Sequence, residues 1–511
     1  MATNIENKDS STEADISVVE DASNASGGKP DTAYELQPIG RPPKKTAAER
    51  RLVFKQDCLL IPLLSLTYFV TYLDRNSYGN GRLLGLQKEL KLTDQQYGDC
   101  GQLFFVGYVL FMLPADIFLR WIRPYFLVGG SIVCFGTLLC GMSAAQTYGA
   151  VLATRILIGA AQAFVQGIGM YSSLWYTRRE LAIRGSLYYS TATLAGAFSG
   201  LIAYAIGKNL TAAESGRSPW RWLFIIEGVI GIGSGIIIMI LLPPFPDKMK
   251  KGKNWLFTKE EINLAIERSS TFNTRGSKLE WRQVLAALKD PKAWAFFMIN
   301  GAFGQATSTV GIFLPSFIKA FGYTSIDAQL FSVIPYAVAF VSLLSLSFLS
   351  DRINYKGGFV IAGLTSAFVG YMLLLFGKST VVKMVGTCFV IGGIYPGVLL
   401  STVWLGINNA GFTKRATTWA MAEIGAQIFS IVGTNVYNHS GSTYSKGHWV
   451  NVGFMLNGIV IASILLWWYG HSNKKKDRVL EEYEARGEVH PHIGTSLEDL
   501  YDVHVNYRYT L

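Results

Sequence analysis

The sequence predicts an all-α integral membrane protein, with twelve transmembrane helices in two pseudo-symmetric six-helix bundles. Three observations lead there. Half of the 511 residues are hydrophobic and only 16% are charged. Apolar blocks of roughly 20 residues, long enough to cross the hydrocarbon core of a bilayer, recur along most of the chain. Between the sixth and seventh blocks a polar stretch over 247–291 divides the series in two.

The expected spans fall at 57–79, 97–119, 125–145, 150–174, 184–206, 220–243, 292–318, 327–349, 358–377, 383–405, 416–437 and 449–469. They define a tail over 1–54, a first bundle over 55–246, a linker over 247–291, a second bundle over 292–470 and a tail over 471–511. The first tail is polar, rich in Ser, Asp and Lys, and is expected to be disordered. It lacks the apolar core of a cleavable signal peptide, so the first helix is expected to act as the targeting signal. Within the linker, Thr258-Lys-Glu-Glu261 reads as a capping box that opens an amphipathic helix running to about Ser270.

A net charge of +11 would suggest nucleic acid in a soluble protein, but here the basic residues fall in alternate loops. Arg41, Lys44, Lys45, Arg50 and Arg51 share one side with Arg120, Arg123, Arg178, Arg179 and Arg184. That side continues through Lys248, Lys250, Lys251, Lys253, Arg352, Lys356, Lys414, Arg415, Lys474, Lys475 and Lys476. Basic loops stay cytoplasmic, which puts both termini there and argues against a nucleic-acid partner. The sequons at Asn209 and Asn438 then lie in outside loops as candidate glycosylation sites. A third sequon, at Asn24, lies in the cytoplasmic tail and reads as chance.

All five cysteines sit in predicted spans without metal-type spacing, so neither a disulfide nor a metal site is expected. His439 and His448 read as solvated loop histidines, and His490, His492 and His504 as tail residues. No nucleophile–base pair, metal cluster or phosphate-cradling loop points to an enzyme or to a cofactor.

Arg75 and Arg155 are fixed positive charges inside otherwise apolar spans. A guanidinium there requires a counter-charge, a water-filled cavity or an anionic ligand. On the first helix Tyr68, Thr71 and Arg75 share a face, and on the fourth Arg155, Gln162 and Gln166 do the same. Such faces suit a carboxylate, which accepts paired hydrogen bonds from the guanidinium plane. Candidates from the second bundle are Asn300, Gln305, Tyr336, Tyr395 and Trp404. Asp74 either neutralises an arginine or carries a proton; Arg155 either binds the anion or pins its helix; Glu423 is a second candidate proton carrier. Glu227 reads as structural. Pro315, Pro335 and Pro396, with Gly392, Gly393 and Gly397, mark places where helices bend.

The loops after the second helix of each half repeat one another. One half has Asp116, Arg120 and Arg123, and the other has Asp351, Arg352 and Lys356. An acid followed by bases latches neighbouring helices in a way that breaks when the halves rock. This arrangement resembles the loop signature of the major facilitator superfamily, with Ser347 and Asn354 where the signature has glycine. Arg155 and Gly159 resemble its fourth-helix signature. Tyr72-Leu73-Asp74-Arg75, the stretch Pro219-Trp220-Arg221-Trp222 through Glu227-Gly228, and Asn408-Asn409-Ala410-Gly411 through Ala416 are similar to the anion:cation symporter family. Within that family they resemble the fungal allantoate and nicotinate permease group, as does the run Asn506-Tyr507-Arg508-Tyr509-Thr510-Leu511.

The resemblance implies alternating access by a plasma-membrane monomer that imports a small organic anion, such as nicotinate, allantoate or pantothenate, together with protons. Relatives place a carboxylate two turns after the fourth-helix arginine; this chain has Gln162, which cannot titrate. Coupling would then fall to Asp74 or Glu423. An exporter of a metabolite or drug, and a receptor that binds an anion without moving it, stand as alternatives.

Overall fold

The computed structural model describes residues 46–176, 178–210, 216–251, 257–270, 280–438, 444–495 and 500–511. Most of the polar tail expected over 1–54, and the Asn24 sequon, lie outside them. Among the described residues the chain is helical throughout, with no strand.

The helices are α1 (Ala47–Leu83), α2 (Leu86–Glu89), α3 (Asp94–Trp121), α4 (Pro124–Met142), α5 (Tyr148–Ala163), α6 (Ile168–Ser173), α7 (Arg178–Asn209) and α8 (Pro219–Leu241). After a polar link come α9 (Lys259–Ser270), α10 (Trp281–Lys289), α11 (Pro291–Ala320), α12 (Ser325–Phe331), α13 (Val333–Ile353), α14 (Lys356–Phe376), α15 (Thr380–Ile407), α16 (Phe412–Asn438) and α17 (Ser445–Ala485). Every one of the twelve expected spans falls on helix, the fourth and eighth each interrupted by a short turn. Among the described residues, eight helical stretches are long and apolar enough to cross a membrane, by length and composition.

Helix boundaries follow local chemistry. Thr46 and Glu49 form a reciprocal capping box, so α1 is already helical over 47–54, inside the stretch expected to be tail. The expected box at Thr258 and Glu261 closes in the same way, at 3.0 and 3.2 Å. The fourth span breaks after Ala163 into a tightened turn, where the amides of Phe164, Val165 and Gln166 reach back only three residues. Gly411 adopts φ 84° just before α16, a left-handed conformation that glycine tolerates. The side chain of Gln283 on α10 accepts from the amides of Thr413 and Lys414, at 3.0 and 3.1 Å, and so caps the start of α16.

The bundles pack closely where side chains vanish. A Cβ on Gly159 of α5 would stand 2.0 Å from the Phe104 carbonyl oxygen of α3, so only glycine permits that approach. At the basic-loop end, Arg184 grips Asp57 through Nε and Nη2 at 2.5 and 2.7 Å, Lys55 pairs with Glu261 at 2.7 Å, and Lys414 with Asp290 at 2.8 Å. At the other end Trp220 and Arg221 both bond Glu89, at 2.6 and 2.9 Å. His448 is not a solvated loop residue. It lies in the first turn of α17, 4% exposed, with Nδ1 2.8 Å from the Tyr437 hydroxyl and rings of Phe317, Tyr371 and Tyr437 around it.

Residues 44–472 and 509–511 form one compact unit; 473–508 belong to a second. In the second unit the Lys476 ammonium donates to the carbonyls of Asp502, His504 and Tyr507 at 2.6, 3.2 and 3.1 Å, while Arg508 pairs with Asp477 at 2.7 Å.

Candidate functional site

The six-helix halves meet at one end and part at the other, leaving a cavity of about 870 Å³ between them. At the closed end a Cβ on Gly79 of α1 would lie 2.3 Å from the Ile312 carbonyl oxygen of α11. There the Tyr336 hydroxyl donates to Asn76 Oδ1 at 2.6 Å, and Gly196 and Gly200 of α7 admit the Tyr336 ring and the Gln329 carbonyl. At the open end the cavity is lined by Trp281, Gly406, Ile407, Thr413 and Arg415. This is the end that carries the polar link.

The first half carries a buried charged cluster. Asp74, Arg155 and Gln162 are at most 1% exposed. Arg155 Nη1 lies 3.5 Å from Asp74 Oδ1, Gln162 Nε2 donates to Asp74 Oδ2 at 2.6 Å, and Arg75 Nε donates to Gln162 Oε1 at 3.3 Å. The two arginines therefore differ. Arg155 borders the cavity but is only 1% exposed, its guanidinium over the rings of Tyr78 and Phe104 at 4.5 and 4.8 Å, with Asp74 as its counter-charge. Arg75 is only half-buried, and no carboxylate oxygen lies within 4.0 Å of it among the described residues. Its flanks are instead the rings of Tyr72, Tyr108 and Phe104 at 5.1, 5.0 and 5.6 Å. A guanidinium over aromatic faces beside a cavity keeps its charge, and its fork stays available to a ligand.

Around Arg75 stands an aromatic wall. Tyr68 packs on Tyr188 and Tyr189 with centroids at 5.3 and 5.7 Å, and the Tyr72 hydroxyl lies 3.4 Å from that of Tyr189. The Tyr108 hydroxyl donates to Gln166 Oε1 at 2.6 Å. Across the cavity Glu423 of α16 lies near enough to interact electrostatically with Tyr68, Tyr72 and Tyr108. Asn300 binds Ser401 at 3.0 Å, and Tyr395 meets Tyr336 edge to face.

Of the residues singled out in the sequence, Tyr68, Thr71, Arg75, Arg155, Gln162, Gln166, Asn300, Tyr395 and Glu423 border the cavity. Thr71 turns its hydroxyl back to the Thr67 carbonyl at 2.8 Å. Four lie elsewhere, the first of them Asp74, buried beside Arg155. Gln305 is 0% exposed and packs against Gly433 of α16, Tyr336 belongs to the closed end, and Trp404 donates its indole N–H to the Thr510 carbonyl at 2.9 Å. Tyr108, Tyr188, Tyr189 and Trp419 carried no sequence signal, and Tyr72 appeared only in a family-like run; its place one turn after Tyr68 would have put it on the same face. Glu227, read as structural, is 2% exposed and accepts from the Ser77 hydroxyl of α1.

In the second repeated loop Lys356 pairs with Asp351, while Arg352 is exposed. In the first, Arg123 donates to the Tyr125 hydroxyl at 2.8 Å, and the side chains of Asp116 and Arg120 lie outside the described residues. The amide of Asn209 bonds the Ala205 carbonyl at 2.9 Å at the exposed end of α7; the Asn438 side chain is outside the description.

Comparison with known proteins agrees with this architecture. Over 459 residues the chain is 29% identical to the high-affinity nicotinic acid transporter of Saccharomyces cerevisiae, covering 89% of this chain and 84% of that protein. It is 31% identical over 456 residues to the MFS transporter prlL of a fungal species, covering 86% and 90%. Among solved structures, a D-xylose–proton symporter superposes with a TM-score of 0.59 at 12% identity, covering 81% of this chain and 97% of that one. A bacterial homologue of the human lysosomal transporter Spinster, inward-facing and unoccupied, superposes with a TM-score of 0.57 at 15% identity, covering 83% and 97%. Both likenesses are of fold. Residues 64–434 match the profile of the Major Facilitator Superfamily, and with twelve helical spans, two facing bundles and a central cavity this chain is a multi-pass membrane transporter belonging to that superfamily.

Proposed function

We propose that the protein is a secondary-active importer of a small organic anion, working by alternating access with proton symport. One observation carries the anion assignment. Arg75 presents a guanidinium at the cavity wall with no carboxylate within 4.0 Å among the described residues, whereas Arg155 is matched by Asp74. A monocarboxylate with an aromatic or planar body fits this setting, its oxygens on the Arg75 fork and its body among Tyr68, Tyr72, Tyr108 and Tyr189. The printed name of the yeast relative, a nicotinic acid transporter, is consistent with such a substrate.

In this reading the basic-loop end faces the cytoplasm of a cell whose plasma membrane holds the monomeric protein, and the structure is inward-open. Asn209 and Asn438 are then outside, available for glycosylation. The pairs around Asp116, Arg120 and Arg123 and around Asp351, Arg352 and Lys356 act as cytoplasmic latches when the cavity closes. Thr71, Gln162, Gln166, Asn300 and Tyr395 position the substrate, Arg155 holds Asp74 beside them, and Tyr336 closes the outer end. Since Gln162 holds Asp74 rather than titrating, Asp74 and Glu423 are the groups left to move a proton. Glu423 is the better placed, bordering the cavity opposite Arg75.

The test is uptake of labelled nicotinate, pantothenate, allantoate and dicarboxylates into transporter-deficient yeast at acidic and neutral external pH, with and without a protonophore. Accumulation of one anion that is strongest in acid and collapses with the protonophore is expected. Loss of a preloaded anion without uptake would establish export, and binding without flux would establish a receptor.

A further inference from the structure

Trp404 and Asn408, both 0% exposed, direct their polar atoms not at the cavity but at a segment about a hundred residues further along the chain. Asn408 reads the backbone of Thr510 twice, its Nδ2 donating to the carbonyl at 2.9 Å and its Oδ1 accepting from the amide at 2.7 Å. The Trp404 indole donates to the same carbonyl at 2.9 Å. An amide side chain paired with both groups of one residue fixes that residue's backbone as a strand partner would, and does so whatever its side chain.

The neighbours on either side are read by their side chains. The Tyr509 ring stacks on Tyr469 of α17, with centroids 4.5 Å apart and planes 14° from parallel. Its hydroxyl accepts from Lys292 Nζ at 3.1 Å, and the ammonium also lies 5.0 Å from the ring centroid. Leu511 lies against Gly470, where a Cβ would come within 3.9 Å of its Cδ2. Trp404 meets Tyr469 edge to face at 5.6 Å and Phe296 at 5.3 Å, so the floor of this site is a rigid aromatic block. It joins the start of α11, the end of α15 and the middle of α17 at the open end of the second bundle. Gly406 and Ile407, the two residues before Asn408, line the cavity mouth.

We propose that Lys292, Trp404, Asn408 and Tyr469 form a recognition site for an aromatic–x–leucine peptide segment, filled in cis by Tyr509–Leu511, and that its occupancy fixes the end of α15 at the cavity mouth. An empty site would leave the Trp404 N–H and both amide atoms of Asn408 buried with those partners lost, so the vacated end of α15 would rearrange to reach water. The device does not depend on which substrate the cavity takes or on how transport is driven.

The test uses the full-length protein in detergent and a fluorescent peptide of the sequence of residues 506–511. A Tyr509→Ala/Leu511→Ala variant is expected to bind the peptide at least tenfold more tightly than the wild type, whose site is filled, and at least tenfold more tightly than it binds a peptide with alanine in place of Tyr509. A thiol introduced by Gly406→Cys is expected to react with maleimide several-fold faster in the tail variant and to slow again when the peptide is added. Equal peptide binding by variant and wild type, no difference between the two peptides, or an unchanged thiol rate would overturn the proposal. Should the double variant not fold, the same thiol is read with single changes. Tyr509→Ala is expected to accelerate the reaction and Thr510→Ala to leave it unchanged, because only the backbone at 510 is read. Equal effects of the two changes would also overturn the proposal.

Discussion

Replacing Arg75 and replacing Arg155 should fail in different ways, although both are arginines of the same bundle at the same cavity. Arg75 faces the cavity with one amide hydrogen bond and three aromatic flanks. Arg75→Ala leaves no buried carboxylate orphaned within the protein, so the loss falls on the ligand. Removing one partner of a desolvated, hydrogen-bonded charge pair costs about 2–5 kcal/mol. At about 1.4 kcal/mol per tenfold, affinity for the anion should drop by about 30-fold to a few thousand-fold. Because Arg75 is only half-buried, the lower part of that range is expected. Arg75→Lys keeps the charge and loses the fork, for a loss of about tenfold.

Arg155→Ala instead strands Asp74, 1% exposed, with Gln162 as its remaining polar partner. Breaking a buried pair in this way costs about 3–5 kcal/mol of stability. That variant should reach the membrane in reduced amount and melt early. Asp74→Asn combined with Arg155→Gln should restore much of the stability, since no lone charge is then left. Equilibrium binding of a labelled anion and thermal unfolding, measured on the same purified preparations, separate the two effects. A stable Arg155→Ala protein without affinity, beside an Arg75→Ala protein with unchanged affinity, would refute this division of roles.

Other substitutions probe the gate, the coupling and the outer loops. Gly79→Val places a branched side chain where even a Cβ would lie 2.3 Å from the Ile312 carbonyl oxygen, so the closed end should not form. An introduced Asn76→Cys thiol should then become reactive from outside the cell, and unchanged protection would contradict the close approach. Glu423→Gln should leave anion binding within about threefold while abolishing the acid stimulation of uptake; a preserved pH dependence would exclude Glu423 as the proton carrier. Glu89 is exposed at the end of α2; the desolvation its partners impose works to raise its pKa, but hydrogen bonds from Ser218, Trp220 and Arg221 hold it below the ordinary glutamate range. A depressed carboxylate adds stability above its unfolded pKa and loses it as pH falls through the folded one, so the wild type should weaken below about pH 4. Glu89→Gln, about 1 kcal/mol less stable at neutral pH, should show a flatter acid limb in thermal melts, and an identical limb would remove Glu89 from the account.

The spans were legible because a membrane helix must be apolar over its whole length, a requirement that survives any tertiary arrangement. Short-range signals did as well, as the capping box at Thr258 and Glu261 demonstrates. Facing was less legible. Arg155 and Gln162 lie two turns apart and do share a face, yet the spacing could not reveal that Asp74 occupies one and receives the other. Trp404 and Gln305 carry the same polar handles as true cavity residues, and only the packing of the Tyr509–Leu511 segment and of Gly433 turns them away. The extension of α17 to Ala485 was hidden because its last turns are charged rather than apolar. His448 misled for the reverse reason: a polar residue beside a loop is buried here because Tyr437 supplies its partner from another helix.

The measurement that bears most directly on an anion cavity governed by Arg75 is flux in proteoliposomes of defined orientation, where no other carrier contributes. With a labelled monocarboxylate outside and an inward proton gradient, the wild type should accumulate the anion above its external concentration. Arg75→Ala, matched for amount and folding, should not. Equal accumulation by both proteins, or movement of neutral solutes with anions excluded, would contradict the assignment.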